Sequence, residues 1–213
     1  MELVNPLAEK YAARFTSPED ELLAKINLET QQQHSHAHML SGHVQGRVLS
    51  FISHIKQPEY ILDIGTFTGY SALCLAEGLV EHGELHTIEL RAEDAETARR
   101  YFNQSLLKNK INVHNGDALK IISTLHYKWD IVFIDADKIN YIAYFKMVFD
   151  RLNQGGIIIA DNVLFHGDVL HEEIKGKNAK AIDEFNKFIS TYENCEQVVL
   201  TVRDGLMLIR KKQ

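Results

Sequence analysis

The fold is decided by the stretch Ile61-Leu62-Asp63-Ile64-Gly65-Thr66-Phe67-Thr68-Gly69-Tyr70-Ser71. Its first half is a short apolar run typical of a buried strand, and its second half begins a segment with helical periodicity. Gly65 and Gly69 permit backbone conformations that a Cβ atom would forbid, and they let a ligand come close to the main chain. The stretch therefore predicts a strand, a tight turn and a helix, with a ligand site at the turn.

Beyond this stretch, short β-branched runs alternate with longer segments of helical periodicity. The predicted strands span 60–64, 84–89, 111–115, 129–135 and 156–161, with helices near 70–80, 93–107, 117–125 and 140–152. This alternation indicates an α/β fold built from βαβ units, with helices on both faces of a parallel sheet. Two further runs, 197–202 and 206–210, are joined by Arg203-Asp204-Gly205, which predicts a terminal antiparallel hairpin.

The N-terminal part of the chain has a different character. With 213 residues, the chain is expected to form a single domain (1–213), with a helical cap over 1–58 and the α/β core over 59–213. Ser17-Pro18-Glu19-Asp20 is typical of a helix start, and a second helix is predicted over 43–55, ending before Pro58. We expect these helices to cover the sheet, to line the site or to pack a dimer.

The composition is that of a soluble globular protein, with 45% hydrophobic and 24% charged residues. A net charge of −6 disfavours nucleic acid as a partner, because nucleic-acid binding depends on neutralising phosphates. The longest apolar runs are too short to span a bilayer, and the N-terminus lacks the features of a signal peptide. Cys74 and Cys195 show no metal or redox spacing, so we expect a cytoplasmic protein with reduced cysteines and no membrane partner.

Two acidic residues indicate which kind of ligand the glycine turn would bind. Glu89 ends the next predicted strand, 20 residues after Gly69, where a carboxylate can accept hydrogen bonds from both hydroxyls of a ribose. The spacing Gly65-x-x-x-Gly69 differs from the G-x-G-x-x-G of dinucleotide sites. Asp63 would repel a pyrophosphate but suits a positive amino or sulfonium group, which favours S-adenosylmethionine over NAD. The alternative is a plain strand–helix turn whose glycines only permit tight packing.

Oxygen-bearing side chains follow two neighbouring predicted strands. Asp135 and Asp137 come at the end of one strand, and Asp161 and Asn162 come at the end of the next. Carboxyl ends of parallel strands lie at one edge of the sheet, so these side chains can converge. Asp135, Asp161 and Asn162 would supply hard ligands for a divalent cation, Mg²⁺ first and Ca²⁺ or Mn²⁺ as alternatives, with positions left for two adjacent hydroxyls of an aromatic ring. The alternative is that they only cap the helices that follow.

Lys138 is the candidate general base. It lies three residues after Asp135 and therefore close to the predicted cation. A nearby cation and partial burial would both lower the pKa of a lysine, and a lysine with a pKa near neutral can accept a proton. The alternative is an ordinary solvated surface lysine.

Together these residues resemble the cation-dependent O-methyltransferases that include catechol O-methyltransferase and the plant caffeoyl-CoA O-methyltransferases. The stretch 62–71 is similar to the cofactor motif of that family, and 133–141 and 160–163 are similar to its metal motifs. The resemblance runs from about Met39 to the last strand. It implies a Rossmann-like methyltransferase fold, with a seven-stranded, mostly parallel sheet whose last strand is antiparallel. It also implies a homodimer, since family members are commonly dimers.

The resemblance also implies a role for each residue that matches a family motif. The cofactor residues would be Ser41, Asp63, Gly65, Thr66, Ser71, Glu89, Ala118, Asp135 and Asp137. The metal ligands would be Asp135, Asp161 and Asn162, and the catalytic residues Lys138 and Asp135. The substrate would be contacted by Asp135, Lys138 and His166. The chain departs from the pattern at Asp63, where many relatives have Glu, at Phe67, where Tyr is usual, and at 163–166, where plant enzymes have a Trp and then an Asn.

The expected reaction is methyl transfer from S-adenosylmethionine to a hydroxyl of a catechol-like or other vicinal-dihydroxy aromatic small molecule. The cation would lower the pKa of that hydroxyl and orient it, and Lys138 would take the proton. Four alternatives remain: an NAD-dependent oxidoreductase, a nucleic-acid methyltransferase, a methyltransferase with a non-phenolic acceptor, and a non-catalytic binding module. The net charge of −6 and the lack of Lys/Arg clusters argue against the nucleic-acid methyltransferase. The run His34-Ser35-His36-Ala37-His38 is interpreted as a solvated segment or a substrate-entrance loop rather than a metal site.

Overall fold

A central sheet organises the molecule. The computed structural model describes residues 3–212. Its strands are β1 (Tyr60–Ile64), β2 (Glu84–Glu89), β3 (Ile111–Asn115), β4 (Trp129–Ile134), β5 (Leu152–Asp161), β6 (Cys195–Leu200) and β7 (Leu206–Lys211). Within the described residues these seven strands form one sheet in the order β3-β2-β1-β4-β5-β7-β6.

The pairing of the strands confirms the predicted fold class. β1 lies between β2 and β4 and is parallel to both, and the pairs β2–β3 and β4–β5 are also parallel. β7 runs antiparallel to β5 and to β6, so the last strand is reversed as expected. After β1 the chain crosses to β2 on one side in the sheet, whereas after β4 it crosses to β5 on the other side. A crevice therefore opens outside the carboxyl ends of these two strands, where ligands bind in open α/β sheets.

Helices cover both faces of the sheet. They are α1 (Pro6–Phe15), α2 (Glu21–Gln33), α3 (His43–Lys56), α4 (Tyr70–Ala76), α5 (Ala92–Phe102), α6 (Ala118–Thr124), α7 (Tyr141–Phe149) and α8 (Lys177–Ser190). Residues of α2 to α5 share one apolar core with the sheet, and residues of α6 to α8 share the other. No helix among residues 3–212 is long and apolar enough to cross a membrane.

Residues 131–134 of β4 are all apolar because both faces of this part of the strand are buried. Ile131 and Phe133 pack into the core on the side of α4, whereas Val132 and Ile134 pack into the core on the side of α7. All four are fully buried, as expected for a central strand covered on both faces. The strand ends at Ile134, one residue earlier than predicted.

The helix start predicted at residues 17–20 is displaced. Asp20 is the N-cap of α2, because its side chain accepts the backbone N–H of Leu23 at 2.7 Å. Ser17 and Pro18 lie before the helix. An N-terminal proline is used instead at α1, where Pro6 opens the helix and Asn5 caps it.

The sequence interpretation did not assign α8. This helix buries Ala179, Ile182, Phe185 and Ile189 along one face, which is the spacing of an amphipathic helix. Its N-cap is Gly176, which offers no side chain to satisfy the first N–H groups, so the usual start signal is missing. The segment before α8 contains 3₁₀ turns within Phe165–Leu170, interrupted by a kink at His166 and Gly167.

Candidate active site

A cavity of about 1190 Å³ opens at the carboxyl ends of β1, β2, β4 and β5. It is lined by the glycine turn after β1, by the end of β2, by the start of α6 and by the residues that follow β4 and β5. Of the predicted site residues, those on its wall are Gly65, Glu89, Ala118, Asp135, Asp137, Lys138, Asp161, Asn162 and His166. The topology therefore brings motifs from four separate strands into one space.

Gly65 is required by a close approach of two strand ends. Its φ is 107°, and a Cβ atom there would lie 2.0 Å from the carbonyl oxygen of Asp135. The N–H groups of Gly65 and Thr66 both donate to the carbonyl of Ile88, at 3.0 and 3.2 Å. The turn is thereby held against β2 and β4, and its outer surface faces the cavity.

Glu89 presents a fixed carboxylate to the cavity. One oxygen accepts the backbone N–H of Phe67 at 2.7 Å, and the other accepts that of Arg91 at 2.9 Å. The side chain is almost fully buried. Each carboxylate oxygen can accept a second hydrogen bond, so Glu89 retains the capacity to receive two hydroxyl groups.

Three of the predicted cofactor residues lie beneath the cavity wall rather than on it. Asp63 is fully buried and accepts the hydroxyl of Thr87 at 2.7 Å. Thr66 shares a 2.5 Å hydrogen bond with the same hydroxyl, and Ser71 is buried in the first turn of α4. Direct contact of these three with a cofactor stays a prediction. What the structure adds is that Asp63 and Thr66 support the glycine turn from below.

Burial gives Asp63 unusual acid–base properties. Desolvation raises the pKa of its carboxyl to about 8, a hydrogen bond from Thr87 opposes the shift, and the charges of Asp135 and Glu89 add to it. Within the described residues its Oδ1 has no hydrogen-bond partner. A cationic group bound above the turn would stabilise the charged form of this buried carboxyl.

The remaining predicted cofactor residues lie around the same space. Ala118 opens α6 on the cavity wall. Asp137 also lines it and accepts the hydroxyl of Tyr144 at 2.5 Å. Ser41 is buried off the wall, and its carbonyl accepts a hydrogen bond from the guanidinium of Arg203. The N-terminal cap is therefore tied to the terminal hairpin beside the cavity.

Lys138 lies at the centre of a polar cluster. Its Nζ donates to Asp135 Oδ1 at 2.9 Å and to Asn162 Oδ1 at 2.7 Å. It also donates to the hydroxyl oxygen of Tyr141 at 2.6 Å, and that hydroxyl lies within hydrogen-bond distance of the carbonyls of Ile134 at 3.2 Å and Asp161 at 3.0 Å. The side chain is largely buried, so the alternative of a solvated surface lysine is wrong.

The expectation of a lowered lysine pKa is corrected by this environment. Burial does lower the pKa of Lys138, but the carboxylate of Asp135, the Tyr141 hydroxyl and the carboxylate of Asp161 outweigh it, and the net shift is upward. The sequence indicates burial and a nearby cation for Lys138, but not the carboxylates that surround its Nζ. In this arrangement Lys138 is an ammonium.

Asp161 is held by two hydrogen bonds. Its Oδ1 accepts the backbone N–H of Asn162 at 2.7 Å, and its Oδ2 accepts the side-chain amide of Gln45 at 2.6 Å. Burial is the main cause that raises the pKa of Asp161, and the neighbouring Asp135 carboxylate raises it further. The two carboxylates therefore lie close enough to repel each other.

The donor set suits a hard divalent cation. Asp135 and Asp161 supply carboxylate oxygens and Asn162 supplies an amide oxygen on the same cavity wall. The ammonium of Lys138 already bridges Asp135 and Asn162, so the cluster stabilises positive charge. Residues 3–212 contain no group of three or more His, Cys, Asp or Glu side chains that could hold a metal ion. The candidate ligand set is not such a group, because its third member is the amide of Asn162 rather than a third carboxylate, His or Cys.

The segment after β5 forms the far wall of the cavity. His166 is exposed, adopts a left-handed backbone conformation (φ 57°) and donates its backbone N–H to Asp204 Oδ1 at 2.6 Å. Its ring Nδ1 lies 3.5 Å from the other oxygen of Asp204. The terminal hairpin thus fixes the position of His166 at the cavity.

The histidine run is not a helical metal site. It forms a turn followed by a 3₁₀ helix, Ala37–Met39. His34 bonds Asp94 at 2.9 Å and packs edge-on against the ring of Phe67, whereas His38 lines the cavity. The interpretation of the run as a solvated segment or a substrate-entrance loop stays a prediction.

A family model described as O-methyltransferase matches residues 13–212. The chain belongs to this O-methyltransferase family. Catechol O-methyltransferase domain-containing protein 1 of Mus musculus is 31% identical over 212 residues, covering 97% of this chain and 80% of that protein. Caffeoyl-CoA O-methyltransferase 2 of Petunia hybrida is 29% identical over 180 residues, covering 78% of this chain and 74% of that protein.

A solved structure extends the comparison to the whole fold. The SAH-bound methyltransferase of Podospora anserina superimposes with a TM-score of 0.89 at 26% identity, covering 97% of this chain and 94% of that chain. The family membership removes the NAD-dependent oxidoreductase from the alternatives that the sequence left open.

Two residues of this O-methyltransferase escaped the sequence interpretation. Gln45 contacts Asp161 from 116 positions away, and Arg203 reaches the carbonyls of Leu40 and Ser41 from the opposite end of the chain. Neither residue belongs to a short motif that would have singled it out. The Asp-Gly turn signalled the hairpin but not its contact with the cap.

Proposed function

We propose that this O-methyltransferase transfers a methyl group from S-adenosylmethionine to one hydroxyl of a catechol-like aromatic small molecule, with the help of a divalent cation. The observation that carries the proposal is the shared cavity. It presents the anchored carboxylate of Glu89 at one end and the oxygen cluster of Asp135, Asp161 and Asn162 at the other.

The donor end fits a nucleoside with a cationic tail. Glu89 can accept two ribose hydroxyls, and Ala118 leaves room for a flat base at the start of α6. A sulfonium bound above the turn would stabilise the charged form of the buried Asp63. A relative of known structure binds SAH, the demethylated product of this cofactor.

The acceptor end fits a phenolic hydroxyl. Asp135, Asp161 and Asn162 would hold the cation, which when bound lowers the pKa of a coordinated hydroxyl and orients it. We propose Nζ of Lys138 as the atom that receives the hydroxyl proton. That role requires a neutral amine, so the negative charge that the carboxylates place around Nζ must first be compensated. Positioning of donor and acceptor in one cavity can lower the barrier by about 7–11 kcal/mol.

The charge of the cavity favours a small acceptor. Three of its described wall residues carry a basic Lys or Arg side chain, and each is already paired: Arg91 with Asp94, Lys138 with Asp135, and Arg203 with backbone carbonyls. A tail with several phosphates, as in a CoA thioester, would find little free positive charge. A non-phenolic acceptor remains a second candidate, because His166 stands where plant relatives differ.

We further propose a homodimer in the cytoplasm, without nucleic-acid or membrane partners. Leu7, Tyr11 and Phe15 form an exposed apolar stripe along α1, and Phe51 and Ile55 are exposed on α3, which α1 contacts. Exposed apolar surface of this kind marks association sites. Light scattering on a Phe15→Glu, Phe51→Glu double variant should report a monomer, whereas a monomeric wild type would contradict the dimer.

The reaction itself is tested with purified protein, labelled S-adenosylmethionine and catechol. We expect label transfer to the phenol with Mg²⁺ present and loss of transfer with excess chelator. Transfer only to an acceptor without a hydroxyl on an aromatic ring would favour the second candidate.

A further inference from the structure

Gln45 reaches from the N-terminal cap into the oxygen cluster. It lies in the first turn of α3, its side chain is almost fully buried, and it lines the cavity. Its amide nitrogen donates to Asp161 Oδ2 at 2.6 Å. The contact joins two segments that are 116 residues apart in the chain.

The contact determines how the carboxylate of Asp161 is oriented. The backbone N–H of Asn162 holds Oδ1 at 2.7 Å, and Gln45 holds Oδ2. Two donors on two oxygens fix the plane of the carboxylate, and each oxygen keeps a lone pair for another partner. Without Gln45, the carboxylate could rotate about the bond that joins it to Cβ.

The position of Gln45 is itself constrained by the cap. The next residue is Gly46, and a Cβ atom there would lie 2.6 Å from the ring of Tyr70 on α4, so α3 packs closely on α4. Before the helix, the guanidinium of Arg203 binds the carbonyls of Leu40 and Ser41. The residues before Gln45 (Leu40 and Ser41) and the residue after it (Gly46) are therefore both held against the rest of the protein while Gln45 contacts Asp161.

We propose that Gln45 is a positioning residue of the cation site, which orients Asp161 towards the ion and couples docking of the N-terminal cap to ion binding. The inference rests on the proposed function in one respect, namely that Asp161 is a cation ligand. Partners that orient metal ligands typically contribute about 10- to 100-fold to metal affinity.

The test uses the full chain and Mn²⁺ as the probe, with calorimetric titration of wild type and Gln45→Met. Methionine keeps the length of the side chain but removes the donor. We expect the dissociation constant for Mn²⁺ to rise about 10- to 100-fold while the dissociation constant for S-adenosylmethionine stays at its wild-type value. Ser50→Ala is the matched control, because it removes a partly buried hydrogen bond that a side chain of the same helix donates to Glu77. That control should bind Mn²⁺ like wild type.

Unchanged Mn²⁺ affinity in Gln45→Met would overturn the positioning role while leaving the proposed function intact. A wild type that does not bind Mn²⁺ would instead defeat the cation site itself, and the inference with it. A second measurement, hydrogen exchange, uses only the wild type, so it tests the proposal even if Gln45→Met does not fold. Saturating Mn²⁺ should slow exchange in the first two turns of α3, and no change there would overturn the coupling to the cap.

Discussion

The Nζ of Lys138 lies 2.7 Å from the amide oxygen of Asn162, on the segment that follows the neighbouring strand. It therefore holds one of the three oxygens proposed for the cation, and it lies 2.9 Å from a second, on Asp135. The lysine and the ion share ligands. A positive side chain beside these oxygens also repels an incoming cation.

Replacing this lysine should separate catalysis from ion binding. In Lys138→Met we expect the rate of methyl transfer to fall about 10²- to 10⁴-fold, because the proton acceptor is lost. Mn²⁺ should bind at least as tightly as in wild type, because the competing ammonium is gone. Single-turnover rates and calorimetry measure the two effects. Lys187→Met, on the exposed face of α8, is the control. A wild-type rate in Lys138→Met would rule out the assigned base.

Glu89 should control cofactor affinity. Glu89→Gln keeps the size of the side chain but removes its charge and one acceptor. Hydrogen bonds to charged groups contribute about 1.5–3 kcal/mol, so the dissociation constant for S-adenosylmethionine should rise about tenfold or more. Equilibrium binding measures this, with the exposed Glu96→Gln of α5 as control. Equal affinity in the two variants would remove Glu89 from the cofactor site.

A pair of histidines should make the fold sensitive to acid. His86 Nδ1 lies 3.0 Å from His114 Nε2. Burial and then the charge of His114 lower the pKa of His86 to about 4, and burial also lowers the pKa of His114. The pKa of a histidine in the unfolded chain is about 6.5, so His86 is uncharged at neutral pH in both the folded and the unfolded state. The stability that depends on an uncharged His86 is thus complete above about pH 6.5 and is lost as the pH falls towards about 4.

Urea unfolding between pH 7 and pH 4.5 measures this dependence. Wild type should lose about 2 kcal/mol from His86 over that range, after allowance for its partial solvation. His86→Phe, which cannot titrate, should show a shallower decline. A decline as steep as that of wild type would show that other groups are responsible.

The acceptor preference follows from the paired basic residues of the cavity. With the same aromatic ring, kcat/KM should be higher for free caffeic acid or catechol than for the CoA thioester. Arg91 and Arg203 are committed to Asp94 and to the cap carbonyls, so they are not free to bind phosphates. Steady-state kinetics with the three acceptors decides the matter. A higher kcat/KM for the thioester would contradict this prediction and would mean that Arg91 and Arg203 leave their present partners to bind the phosphates of the CoA tail.

Local patterns predicted the local parts of the structure. β1, β2 and β3 begin and end where expected, because each apolar run is bounded by turn residues or charges. The acids after β4 and β5 share a wall, because parallel strands expose their carboxyl ends at one edge. α8 was not assigned, because its only early signal was an amphipathic spacing without a capping residue.

The environment of each site residue depended on contacts that no local pattern encodes. The contact of Gln45 with Asp161 requires α3 to dock across the carboxyl edge of the sheet. The upward pKa shift of Lys138 depends on two carboxylates from different strands. The complete burial of Asp63 below the glycine turn depends on the neighbouring strand, whose Thr87 donates to its carboxylate. Such relationships follow from the packing of distant segments.

The proposed cation dependence is tested by measuring methyl transfer to catechol by wild type and Asp161→Ala, each with Mg²⁺ and with excess chelator, alongside binding of S-adenosylmethionine. We predict that chelator abolishes transfer by wild type, that restored Mg²⁺ recovers it, and that Asp161→Ala binds the cofactor but does not transfer the methyl group. Full activity of wild type in excess chelator would contradict the proposed cation dependence.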